Sequence, residues 1–302
     1  MAFELKNRLV IGISSRSLFD LSFENELFER EGKEAYIAYQ MKNEKKIYDA
    51  GSALSLVKRL LKINDLFPAE DPAIEVVLFS RNGAETSMRI WNSIANYGLN
   101  ISRGAFAGGD SPSKYIEAFS VDLFLSADEE DVRKTLAMGH AAARIEGKSQ
   151  EEREGPVKIA FDGNCVLFSD ESEKSFEDGG LEAFQEYERK HADSTLEAGP
   201  FKSFAQELAR LQKDLRKIDP NQSYIQTALV TARNAPGHER VLRTFQEWDL
   251  WMDETFFLGG LPKGPVLKAF GADIFFDDHP SHIDSAEAND VPAAQVLRIN
   301  KE

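Results

Sequence analysis

Two runs of this sequence repeat one another's order of cues, and that constrains the fold more than any single motif. AGGDSPSKYIEAFSVDLFLSAD, from Ala107, and LGGLPKGPVLKAFGADIFFDD, from Leu258, each give Gly-Gly, a helix ending Ala-Phe, then Asp-x-Phe and a polar strand end. Upstream, LFSRNGAE from Leu78 matches LVTARNAPG from Leu229. A repeat of this kind decides the architecture before local detail does. Each half also opens on an apolar strand: Arg8 to Ile13 ends in Ser14-Ser15-Arg16-Ser17, and Val157 to Phe161 runs into Asp162-Gly163-Asn164. Strands alternating with helical stretches predict α/β lobes with parallel sheets. The expected organisation is an α/β companion lobe at 1–147, a linker at 148–155, and a second lobe at 156–302. The linker falls in EGKSQEEREG, which is charged and lacks apolar residues. Residues 171–199 interrupt the second lobe just after its first strand, and an insertion there is placed to form a small helical cap. Phe204, Leu208, Leu211 and Leu215 then mark a core-facing helix.

The 302 residues carry a formal net charge of −15 with a pI near 4.9, which argues against a nucleic-acid polymer or an anionic membrane as partner. No apolar run approaches the roughly 18 residues that cross a bilayer. The amino-terminal stretch reads as a first strand rather than a signal peptide. A single cysteine, Cys165, permits no internal disulfide and fits a reducing, cytoplasmic setting. Beside the candidate site, Cys165 reads as a small packing residue. The acidic background leaves room for a small phosphorylated substrate only if local positive charge and a metal ion accompany it.

Four signals at strand ends or helix starts fall in order in the second half: Asp162, Thr231, Lys263 and Asp277-Asp278. Parallel strands bring such residues to one sheet edge, where open α/β folds bind their ligands. Phosphoryl transfer from a monoester needs this inventory. A carboxylate attacks phosphorus, a hydroxyl and an ammonium hold the other oxygens, and a divalent cation screens the charge. In the first half the corresponding positions are Ser14, roughly Lys114, and Ser126, so two carboxylates are missing and the same chemistry is not expected there. His279 and His282 lie three apart, but Pro280 between them reads as loop rather than as a transition-metal site. Arg233 reads either as a grip for an anionic group or as an exposed structural arginine.

This order of residues resembles the haloacid dehalogenase superfamily of phosphatases, and the wording resembles the cytosolic 5′-nucleotidase type I family more closely. The stretches that carry it are AFDGNCVLFSDESE, LVTARNA, LGGLPKGPVL and IFFDD, with IGISSRSLFD, GGDSPSKYIEAF and DLFLSAD in the first half. The resemblance implies a Rossmann-like phosphatase lobe with a small helical cap beside a related, degenerate α/β lobe. It implies hydrolysis of nucleoside 5′-monophosphates with Mg²⁺ through an aspartyl-phosphate on Asp162; a homo-oligomer is the expected assembly. Carried over by position, Asp162, Asn164 through its carbonyl, Asp277 and Asp278 hold the metal, and Thr231, Ala232 and Lys263 hold the phosphate.

One position departs from the family. The pattern is Asp-Gly-Asp, and here it reads Asp162-Gly163-Asn164. In the superfamily the second aspartate protonates the leaving sugar oxygen and then activates water, and an amide does neither. Acid–base catalysis is worth about 10²–10⁴-fold, so turnover weakened to that extent is expected. Two other readings stay open: a phosphatase of another small monoester, and a catalytically weak nucleotide-binding protein.

Overall fold

Leu9 to Ile13 is a short apolar run broken only by Gly12, which is the signature of a parallel strand covered on both faces. The computed structural model bears this out, and it describes residues 4–147, 153–171, 180, 184 and 186–299. Part of the expected linker, 148–152, and of the expected cap, 172–179, 181–183 and 185, lies outside the described residues. The chain divides into two compact units, Met1–Arg153 and Glu154–Glu302.

In the first unit, β1 (Leu9–Ser14) is followed by a small antiparallel pair, β2 (Phe19–Asp20) and β3 (Asp49–Ala50). Then come β4 (Ile74–Ser80), β5 (Arg103–Phe106), β6 (Leu123–Ser126) and β7 (Ala142–Ile145). The parallel order is β7-β6-β1-β4-β5. The second unit holds β8 (Val157–Phe161), β9 (Ile225–Thr231), β10 (Glu254–Phe257), β11 (Ile274–Asp277) and β12 (Ala293–Gln295). Its parallel order is β12-β11-β8-β9-β10, the same arrangement strand for strand.

The agreement reaches individual hydrogen bonds. Asp122 accepts the Val10 N–H at 2.8 Å and returns its own N–H to the Val10 carbonyl at 2.9 Å. Asp273 does the same for Lys158, at 2.7 and 2.8 Å. The aspartate of the repeated Asp-x-Phe cue therefore locks the start of each central strand to its neighbour, giving otherwise unpaired backbone groups a partner. Strand-end side chains match as well. Ser80 Oγ accepts the N–H two residues on, at 3.2 Å, as Thr231 Oγ1 does at 3.3 Å. Ser126 and Asp277 make the equivalent turn at 3.0 and 2.8 Å.

Strands β7 and β12 are not evident from the sequence, because Ala142-Ala143 and Ala293-Ala294 lack the β-branched side chains that mark strands. They form because β6 and β11 each have an edge to complete: Phe124 and Phe275 donate to the carbonyls of Ala141 and Pro292, both at 2.9 Å. The stretch from Lys114 to Phe119, expected to be helical, is two short 3₁₀ turns, Pro112–Tyr115 and Glu117–Phe119. Among the described residues no helix is long and apolar enough to cross a membrane.

Two helices of the second unit fix the site from one side. Lys263–Phe270 tolerates Pro265 because it lies in the first turn, where no N–H is needed, and it ends on Gly271 in the left-handed region. It packs on Pro280–Glu287 so closely that a Cβ on Gly264 would fall on the Ser285 carbonyl oxygen. The Gly264 N–H donates to Ser285 Oγ at 3.2 Å. Gly264→Ala should therefore lose about 1–3 kcal/mol by overpacking. A thermal midpoint equal to that of the parent chain would contradict this close approach.

Candidate active site

Strand β8 delivers Asp162 one residue past its end, and the Asp162 N–H is taken by the Phe276 carbonyl of β11 at 2.8 Å. Strand β11 itself ends in Asp277, so two carboxylates arrive side by side. Lys263, the first residue of its helix, reaches between them. Its Nζ lies 2.5 Å from Asp162 Oδ1 and 2.6 Å from Asp277 Oδ2. Asp162, Asp277, Asp278 and Lys263 are all buried. One oxygen from each of the three carboxylates lies within 4.8 Å of the others, a grouping of hard donors suited to a cation such as Mg²⁺.

The two bridged acids are driven in opposite directions. Burial, reinforced by the nearby Asp277 charge and opposed by Lys263, pushes the Asp162 carboxyl up to about 7. Burial alone would raise Asp277 too, but hydrogen bonds from His282 and the Lys263 charge overcome it and hold Asp277 below the usual carboxylate range. Lys263 is held above its ordinary value, burial being outweighed by Asp162 and Asp277. Asp278 is buried against Arg298, whose Nε lies 2.5 Å from Oδ2.

The other expected residues sit close by. Gly163 packs against Thr231, where a Cβ would come within 3.2 Å of Oγ1. Thr231 is buried, and Ala232 is exposed beside it at the tip of β9. Cys165 is half-buried with φ of 59°, which turns the chain sharply after Asn164. His279 and His282 do not form a loop: His279 caps the helix Pro280–Glu287, with Pro280 in its first turn. His282 Nδ1 lies 3.0 Å from Asp277 Oδ2.

Arg233 is the residue whose surroundings the sequence does not reveal. It is buried rather than exposed. Nε and Nη2 both donate to Asn164 Oδ1, at 3.1 and 2.7 Å, and Nη1 donates to Glu188 at 2.8 Å. Glu188 also accepts from Arg240 at 3.1 Å, and Arg240 reaches Glu171 at 2.6 Å. Nothing in the sequence named Glu188 as the shared partner of Arg233 and Arg240.

The matching edge of the first unit is chemically different. Ser14 pairs with Ser17 at 2.9 Å, and Ser15 with Ser80 at 2.9 Å. Arg81 is spent on Asp128, Glu130 and Asp131. Lys114, the expected counterpart of Lys263, instead pairs with Asp110 at the surface. A cavity of about 280 Å³ opens at these strand ends, walled by Phe28, Tyr36 and Ile37. Among the described residues, Asp162, Asp277 and Asp278 are the one group of three such side chains close enough together to hold a metal ion.

Glu188 satisfies two buried arginines at once, so its removal leaves two buried charges short of a partner. Glu188→Ala should cost about 3–5 kcal/mol, read as a lowered midpoint of urea unfolding, and Glu188→Gln should cost less.

A family model described as 5′-nucleotidase matches residues 1–302. Cytosolic 5′-nucleotidase 1B of Homo sapiens is 39% identical over 290 residues, covering 93% of this chain and 48% of that protein. The chain thus spans about half the length of that curated relative.

Proposed function

The chain belongs to the 5′-nucleotidase family, and on that premise we propose that it hydrolyses nucleoside 5′-monophosphates to nucleoside and phosphate in a Mg²⁺-dependent reaction. The observation that carries this reading is the convergence of Asp162, Lys263 and Asp277 from distant parts of the chain onto one buried point. Asp162, Asp277, Asp278 and the carbonyl of Asn164 would hold the metal. When bound, Mg²⁺ would screen the repulsion between phosphate and carboxylates and polarise the phosphoryl oxygens.

The chain's own groups supply the rest. Asp162 is the nucleophile: one oxygen forms a bond to phosphorus while the bond from phosphorus to the sugar oxygen breaks, leaving an aspartyl-phosphate. Thr231 and Lys263 hold non-bridging oxygens, with Ala232 lining the same turn. To do so, Lys263 shifts part of its contact from Asp162 to the incoming phosphate. That releases the nucleophile as the substrate arrives. The leaving sugar oxygen needs a proton that Asn164 cannot give, so water supplies it. A second water then cleaves the acyl phosphate and restores Asp162.

In this reading the second unit is a haloacid dehalogenase-type lobe, and the described end of the insertion, residues 186–199, belongs to its cap. The first unit is a related lobe whose serines replace the nucleophile and a metal ligand, so it does not carry out this reaction. The human relative is named as cytosolic, and the same setting is proposed here.

A phosphate-release assay over nucleoside monophosphates and sugar phosphates tests the substrate class, and preference for a sugar phosphate would displace the nucleotide reading. Within that assay, Asp162→Asn should abolish release. Asn164→Asp should raise turnover by at least about tenfold by restoring a proton donor. Nucleotide binding without release, even in Asn164→Asp, would make the chain a binding protein instead.

A further inference from the structure

Every nitrogen of the Arg233 guanidinium is already engaged inside the protein. Nε and Nη2 close on one atom, Asn164 Oδ1, and Nη1 closes on Glu188. The Phe184 ring lies 5.5 Å from the guanidinium carbon. A guanidinium is a planar fork with fixed donor directions, so two donors on one acceptor fix that acceptor's place closely. Its side chain is 2% exposed and that of Glu188 is 0% exposed, so neither turns outward without breaking buried, charge-assisted bonds. These facts disfavour Arg233 as a ligand for substrate phosphate and leave another task for it.

We propose that Arg233 is a positioning residue: it fixes the side chain at position 164 beside the nucleophile and makes that placement depend on the seating of Glu188. Glu188 belongs to the insertion, and Arg240 ties down three further points of it. These are Glu171 at 2.6 Å, the Ser194 carbonyl at 3.3 Å and the Thr195 carbonyl at 3.2 Å. The path is continuous: Glu188, Arg233, residue 164, then two residues back to Asp162. Thr231, two residues before Arg233, takes the Arg233 N–H at 3.3 Å, so the fork and the proposed phosphate grip share one turn. A well-seated Glu188 therefore goes with a fixed side chain at 164, and a displaced one releases it.

The kinetic part of this inference rests on the 5′-nucleotidase reading, and two measurements separate their failures. The first compares Arg233→Lys, which keeps the charge and loses the fork, in three backgrounds: Asn164, Asn164→Asp and Asn164→Ala. With Asp at 164, kcat should fall about ten- to a hundredfold with KM little changed, since misplacing a reacting group costs that much. With Ala at 164 the same substitution should do almost nothing. An equal loss in all three backgrounds, or a raised KM with kcat intact, would overturn the proposal. The second measurement needs no turnover. Thermal midpoints of Arg233→Lys, Asn164→Ala, Glu188→Gln and their pairwise combinations should be non-additive for both pairs that include Arg233. Additive shifts would overturn the proposal. If no form releases phosphate yet the midpoints couple, the 5′-nucleotidase reading fails while the positioning role stands.

Discussion

Three carboxylates meeting in a buried place repel one another and lose their hydration, and the rest of this architecture depends on how that is offset. Lys263 does it from between two of them, within hydrogen-bond distance of both Asp162 and Asp277. His282 supports Asp277 and Arg298 supports Asp278. Removing one partner from such an arrangement strands a charge, which is why its geometry is demanding. The strand ends, the helix start at Lys263 and the close packing at Gly264 all serve to hold an ammonium within reach of two acids.

The two units show scaffold and chemistry varying separately. The strand order, the aspartate lock at the start of each central strand and the strand-end turns agree between them. Yet the residue following or ending the equivalent strand is Ser14 in one and Asp162 in the other, and Ser126 in one and Asp277 in the other. At Ser126 a hydroxyl makes the same turn as the Asp277 carboxylate, but it brings no negative charge. The fold is satisfied by either, and the site is not.

Much of this was legible beforehand. The paired Gly-Gly, Ala-Phe and Asp-x-Phe cues mark equivalent elements, and the apolar runs before Ser14, Asp162, Thr231 and Asp277 place those residues at strand ends. What the sequence does not show has physical causes. Strands β7 and β12 are made by the pairing needs of a neighbour, not by their own alanines. Arg233 reads as a loop arginine because its loop is polar, and its burial comes from Glu188, which lies in another part of the chain. Pro280 reads as a helix breaker but stands in a first turn, where its missing N–H costs nothing.

By itself the sequence determined the alternation of strands and helices, the repeat, and which residue types stand at the strand ends. These follow from side-chain periodicity and backbone preference, which act over a few neighbouring residues. Only the tertiary structure decided the partnerships: Lys263 with Asp162 across 101 positions, and Arg233 with Asn164 across 69. Such pairings form because burial removes water from charged groups and leaves them only one another to bond. Where burial falls is settled by the packing of the whole unit.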